Sequence, residues 1–215
     1  MLKTGLISMP YRTIHTRNRL LRQTFILLIS IFSTEYAMAE QDIYTIDDRS
    51  TGDTSASSGN TWRLFTDDVM GGVSNGTLSL ETRADAAGQQ LACLHMQGDV
   101  RLDNNGGFVQ IALNLSDEVV RQAPAYRGIS FDILGNGEDY NLHLRTDGLW
   151  FPWQSYRATF NATADWQTVR IPFSEFKAYK TFSKLDTSEL ARIGFVAIGR
   201  EFTADLCITN IRLYR

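Results

Sequence analysis

Apolar side chains recur at every second position in short runs from Trp62 to the end of the 215-residue chain. TLSLET (77–82), LACLHM (91–96) and FVQIALNL (108–115) open the series, the last with Val109, Ile111, Leu113 and Leu115 in step. GISFDIL (128–134), YNLHLR (140–145), YRATF (156–160), WQTVRIPF (166–173), RIGFVAI (192–198) and LCITNIRLY (206–214) continue it. Successive side chains of a strand point to opposite faces, so a period of two, rich in β-branched and aromatic residues, predicts strands with one buried face. Helical periodicity is confined to SDEVVRQ (116–122) and LDTSELAR (185–192), each long enough for one short helical turn. Parallel sheets need a long crossover between strands, usually a helix, which argues against a parallel α/β fold. The expected architecture is all-β, an antiparallel jelly-roll β-sandwich of roughly eight to ten strands. Asn75-Gly76, Asn104-Asn105-Gly106-Gly107 and Gly135-Asn136-Gly137-Glu138 supply its hairpin turns, being residues that tolerate positive φ.

The chain before Trp62 breaks this pattern. Residues 40–61, with RSTGDTSASSGN at 49–60, read as a polar lead-in to a sandwich domain over 62–215. Residues 1–39 carry Lys3, Arg12, Arg17, Arg19 and Arg22 against one acid, Glu35, with the apolar run TFILLISIF (24–32) and then Ala37-Met38-Ala39. A basic start, a short apolar core and a small-x-small site describe a secretory signal peptide. The run is about half of what a bilayer-spanning helix needs, which argues against a stable span. The expectation is export, to a periplasm or the cell exterior. An Arg-rich, acid-poor segment also fits a mitochondrial transit peptide, although such peptides are amphipathic and this run is apolar on every face. Setting 1–39 aside leaves 16 Lys+Arg against 23 Asp+Glu, a net charge of −7. That balance speaks against nucleic acid and against an anionic membrane surface, both of which select basic partners.

Chemistry-bearing residues are few. Cys93 and Cys207 are the only cysteines. In an oxidising compartment an even pair invites a disulfide, the alternative being two half-buried thiols in separate strands. His95 and His143 have no metal-ligand spacing around them, and no metal or cofactor is expected. The ten residues DDVMGGVSNG (67–76) combine two carboxylates with three glycines. A phosphate loop would lead into a helix N-terminus, whereas the strand pattern TLSLET follows here. Adjacent Asp67 and Asp68 would point apart on an extended chain, and one acidic pair is a thin ligand set for calcium. The stretch reads as a turn entering a core strand. There is no Gly-x-Ser-x-Gly elbow, and the acids sit mostly in polar loops that would not raise a carboxyl pKa, so the domain reads as non-catalytic.

The densest stretch is LHLRTDGLWFPWQSYRATF (142–160). On a strand, His143 and Arg145 share the face opposite Leu142 and Leu144. With Gln154 and Tyr156 placed beside them and Trp150 and Trp153 on the rim, they form a candidate face for a polar ligand or a protein partner. In the other reading Trp150 and Trp153 cap an open end of the sandwich while Arg145 pairs with a carboxylate such as Asp68.

Several blocks taken in order resemble a known family. They are Trp62 with Asp67-Asp68-Val69-Met70-Gly71-Gly72-Val73-Ser74, then Gly106-Gly107-Phe108, Tyr126-Arg127-Gly128-Ile129 and Tyr140 to Arg145. Trp166 to Phe173, Phe176 and Ile193-Gly194 complete the series. The chain resembles the complex I intermediate-associated protein 30 family over about residues 44–214. That resemblance implies a galactose-binding-like jelly roll without a recognised catalytic centre. For mitochondrial relatives it implies a role in assembling NADH:ubiquinone oxidoreductase. It brings no residue-level site. Two partner classes are expected on these grounds, a protein or assembly intermediate first and a carbohydrate as the alternative.

Overall fold

The computed structural model describes residues 42–215. The export signal expected at 1–39 lies outside them. The described chain runs through strands β1 (Ile43–Asp47), β2 (Arg63–Thr66), β3 (Asn75–Ala84), β4 (Gln90–Val100), β5 (Phe108–Asn114) and β6 (Gly128–Gly135). It continues with β7 (Asp139–Thr146), β8 (Ser155–Asn161), β9 (Gln167–Pro172), β10 (Lys177–Tyr179), β11 (Leu190–Ile198) and β12 (Phe202–Tyr214). One sheet has the order β3-β4-β12-β6-β9, with β1 also paired to β12; the other runs β10-β8-β7-β11-β5-β2. Every pairing is antiparallel. This is the expected all-β jelly-roll sandwich. One short helix, α1 (Asp117–Gln122), starts at Ser116, whose side chain accepts from the Val119 N–H. No helix among the described residues is long and apolar enough to cross a membrane.

Two local expectations change. The stretch read as a polar lead-in contains β1, so the sandwich starts at Ile43. Asn75 and Gly76 form no turn: they are the first residues of β3, whose ladder with β4 runs unbroken from Asn75↔Asp99 to Ala84↔Gln90.

The two inner faces interdigitate around aromatic rings. Phe131 meets Phe195 edge-on at 4.9 Å and Phe160 at 5.1 Å, and Trp62 tilts against Phe195 at 5.9 Å. All four are buried. Edge-to-face rings of this kind add to the hydrophobic gain of the buried area.

Two buried carboxylates fasten loops to this core, and a disulfide cross-links two of its strands. Asp47 is fully buried and accepts from Trp62 Nε1 at 2.7 Å and from the Arg49 backbone N–H and Nε, each at 3.0 Å. Arg49 spends its remaining donors on the Asp53 and Ser55 carbonyls. The lead-in is thereby tied down by a paired buried charge. Asp67 is the second carboxylate and is also fully buried. It sits in a 3-10 turn (Asp67–Met70), and its carboxylate accepts from Ser74 N (2.9 Å), Ser74 Oγ (2.5 Å), Phe108 N (3.2 Å) and Gly107 N. A Cβ on Gly72 or Gly106 would overlap this carboxyl, so both positions must be bare for it to fit. Within DDVMGGVSNG, Asp67 is therefore an internal anchor that joins its own turn to the start of β5. The Cys93–Cys207 disulfide cross-links adjacent strands β4 and β12 at a Cα–Cα distance of 5.4 Å.

Candidate binding face

The sheet containing β7 has one face in the core and one turned outward. Tyr140, Leu142 and Leu144 belong to the core, which leaves Asn141, His143 and Arg145 on the outer face. Strand register supplies their neighbours. His143 stands opposite Arg157 of β8 and Gly194 of β11; Gly194 stands opposite Ala112 of β5, and Ala112 opposite Arg63 of β2. With Lys177 of β10 opposite Arg157, one row thus crosses all six strands, with cations on both flanks and the smallest side chains in the middle. A parallel row holds Arg145, Arg192 and Asn114. Another holds Thr159, Asn141, Val196, Gln110 and Phe65.

Planar polar groups cover this face. The Arg157 guanidinium lies 3.4 Å from the Tyr179 ring centroid, and its Nε donates to Ser155 Oγ at 2.9 Å. Arg192 Nε donates to Asn114 Oδ1 at 2.9 Å, with its guanidinium 5.7 Å from the Phe65 centroid. Gln110 reaches over Gly194, where a Cβ would come within 2.7 Å of its Nε2. His143 is 8% exposed, and its Nε2 has no hydrogen-bond partner within the described protein. Burial, reinforced by the charge of Arg157, drives its pKa down to about 3, so the imidazole is neutral at working pH. Cavities of about 640 Å³ and about 190 Å³ lie on this side of the domain, and Asn114 and Arg192 line both.

Arg145 organises the connection between β7 and β8. Its Nη1 donates to the carbonyls of Phe151 (2.9 Å), Pro152 (2.9 Å) and Gln154 (2.6 Å), and its Nη2 to that of Leu149 (3.2 Å). Gln154 adds two ties, accepting from Phe151 N at 3.0 Å and donating to Lys180 O at 3.1 Å. The loop held in this way presents Trp150 at 88% exposure, with Phe151 and Trp153 about half exposed. The last two rings stack at 4.9 Å and an interplanar angle of 7°. An Arg145→Gln variant is expected to free four carbonyls and loosen the loop while the sandwich stays folded. Limited proteolysis should then cut between 147 and 154 at a markedly higher rate, with a fall of only a few degrees in thermal midpoint.

The structure brings Arg145, Trp150, Trp153 and Gln154 together in one loop system and leaves the other sequence candidates elsewhere. Tyr156 is opposite Leu144 in the ladder, so its side chain enters the core at 1% exposure and its hydroxyl donates to Lys184 O at 3.0 Å. Arg157 takes the outer position next to His143. His143 does share the face of Arg145, but it is buried there. Asp68 is exposed and accepts from Thr66 Oγ1 at 2.7 Å; it forms no ion pair with Arg145, which is satisfied by carbonyls. Arg63, Arg157, Arg192 and Tyr179 were not legible as members of the face, because membership depends on cross-strand register. Among the described residues no group of His, Cys, Asp and Glu is arranged to hold a metal ion.

Comparison with known proteins adds to this picture. A family 11 carbohydrate-binding module from Clostridium thermocellum, solved in complex with a β-1,3-1,4-mixed-linked tetrasaccharide, aligns with a TM-score of 0.60 at 16% identity. The alignment covers 80% of this chain and 95% of that one. The family 11 module of the C. thermocellum cellulosomal cellulase Lic26A-Cel5E aligns with a TM-score of 0.61, also at 16% identity, over 80% and 94% of the two chains. An exo-β-agarase matches over 79% of this chain and 25% of its own, with a TM-score of 0.53 and 13% identity. At these identities the likeness is one of fold. No curated protein sequence matches the chain. The sequence profile of the complex I intermediate-associated protein 30 family matches residues 39–208. The chain belongs to the complex I intermediate-associated protein 30 family.

Proposed function

We propose that this is a non-catalytic, exported binding domain that holds a protein partner or assembly intermediate in a chaperone-like role. The observation that carries the reading is the loop over Arg145. It keeps Trp150 and the stacked Phe151–Trp153 pair in water on a backbone already fixed by six hydrogen bonds. Large exposed rings on an ordered scaffold lose little entropy on docking, and tryptophan is enriched among residues that dominate interfaces. Family membership supports a protein partner. The disulfide supports export, since such bonds persist in oxidising compartments. N-terminal sequencing of the purified protein is expected to start near Glu40; in a mitochondrion, NADH:ubiquinone oxidoreductase intermediates would be the natural partner.

The docking reading is tested by affinity capture from the protein's own compartment. Trp150→Ala combined with Trp153→Ala should weaken specific capture by roughly 30-fold if one ring is an anchor worth about 2 kcal/mol, and by up to about 1,000-fold if both are. Equal capture by the parent and the double variant would overturn the reading. A carbohydrate ligand is the second reading, favoured by the polar and aromatic outer face and by the fold shared with carbohydrate-binding modules. A glycan array with Trp153→Ala as control tests it. No sugar bound at millimolar concentration would remove it.

A further inference from the structure

The outer face described above carries the wrong charge for its domain. The mature chain is net acidic, yet five cations, Arg63, Arg145, Arg157, Lys177 and Arg192, project from this face of the sheet. Among the described residues none of the five has a carboxylate within ion-pair distance; elsewhere Arg49, Arg83, Arg101, Arg121 and Arg200 are paired, while six further cations spread over the rest of the domain are not. Asp117 and Asp147 share the wall of the larger cavity with Arg145 and Arg192 without pairing to them.

Register makes the arrangement more costly still. Arg192 stands directly opposite Arg145, and Lys177 directly opposite Arg157. Like charges in opposed ladder positions repel and destabilise a sheet. The desolvation of Arg145 and Arg157 adds to this, lowering both guanidinium pKa values, and the charge of Arg192 contributes at Arg145. Arg145 is spent on four loop carbonyls, whereas Arg157 and Arg192 each commit Nε to a neutral neighbour, Ser155 Oγ and Asn114 Oδ1. A second, independent feature lies in the same row: the buried, neutral His143 with its unpartnered Nε2, between Arg157 and the bare Gly194. Local violations of this kind concentrate where a surface serves binding.

We propose that this face docks an acidic polypeptide segment, whose carboxylates pair with Arg157, Arg192 and Arg63 while apolar side chains of the same partner meet the Trp150–Trp153 loop. The inference deepens the protein-docking reading and rests on it only for the part played by the tryptophans. Charge complementarity argues for the carboxylates, because planar guanidinium forks match them two bonds at a time. Continuity argues for a polypeptide: Arg192 lies beside Arg145, which carries the aromatic loop, so cationic and apolar contacts form one surface. Phe151 and Trp153 stack on each other, which uses up one ring face of each and favours insertion into an apolar pocket over stacking on sugar rings.

The test is fluorescence anisotropy of labelled poly-L-glutamate titrated with the purified protein, with polygalacturonate as competitor. Binding is expected, with the logarithm of the affinity falling linearly with the logarithm of salt concentration. Arg157→Gln and Arg192→Gln should each weaken it roughly fivefold, whereas Arg170→Gln on the other sheet should leave it unchanged. Each variant is first matched to the parent protein by circular dichroism and thermal midpoint, and Arg157→Lys should recover part of the loss. Absence of binding, equal loss with Arg170→Gln, or displacement by polygalacturonate at far lower concentration than by free poly-L-glutamate would overturn the proposal, the last in favour of an acidic glycan. Because poly-L-glutamate offers no apolar pocket, its binding is independent of Trp150 and Trp153, so failure of the cationic face and failure of the aromatic anchor are read separately.

Discussion

An Asp67→Ala variant loses about 3–5 kcal/mol of folding stability and melts roughly 10 °C below the parent protein. The reason lies in what the carboxylate satisfies. Ser74 N, Ser74 Oγ, Gly107 N and Phe108 N all donate to it, and Gly72 and Gly106 are bare so that it fits between their backbones. Removing it leaves these donors facing a cavity and disconnects the 3-10 turn from the start of β5. Asp67→Asn keeps the volume but turns an amide N–H₂ toward some of the same donors, so a loss smaller than that of alanine is expected. The pH dependence carries a definite sign. Burial alone would raise the Asp67 pKa, but the donated hydrogen bonds of Ser74, Gly107 and Phe108 outweigh it and hold the carboxyl below the usual carboxylate range. Its contribution is therefore complete above the unfolded-state value near 4 and is lost as pH falls through the lower folded value. Urea unfolding at a series of pH values checks this. If the parent and Asp67→Asn proteins lost stability in parallel on acidification, the buried anion would not be the source.

Replacing both cysteines with alanine is expected to lower stability by about 4–5 kcal/mol, the entropic value for cross-linking a loop of this length. Cys93 and Cys207 are 114 positions apart and occupy adjacent strands in the middle of their sheet, so the bond closes more than half of the described chain. The thermal midpoint should fall by roughly 10–15 °C while far-ultraviolet circular dichroism of the folded state stays unchanged. Because both sulfurs are buried, reductant alone should act slowly on the native protein and quickly once denaturant opens it. A double variant within a few degrees of the parent would mean that the unfolded chain gains little freedom when the link is cut.

These anchors show where sequence reading stops. The long strands were legible because Val109, Ile111 and Leu113 repeat their period enough times to be unmistakable, and all three are fully buried. β1, β2 and β10 span five, four and three residues, too few for alternation to stand out from polar surroundings. Asp67 was recognisable as the marker of a turn but not as an anchor, since its partners lie up to 41 positions away. The two bare positions at Gly72 and Gly106 were the available clue. The loop from Asp147 to Gln154 hides the parity of β8 from the sequence, and one residue of register exchanges Tyr156 for Arg157 on the outer face. Residue identity offers Arg145 either a place on a binding face or a carboxylate partner such as Asp68; its actual partners are backbone carbonyls, which leave no trace in the sequence. The cationic character of the outer face emerges only when five separate strands, β2, β7, β8, β10 and β11, are laid side by side.

The pairing of β1 with β12 has a wider consequence. Ile43 stands opposite Tyr214, so the first and last strands enter and leave the sandwich at one point on its perimeter. A domain with that geometry behaves as a cassette: it can be seated in a surface loop of a host protein without prising the loop apart, or circularly permuted with a short bridge across its own ends.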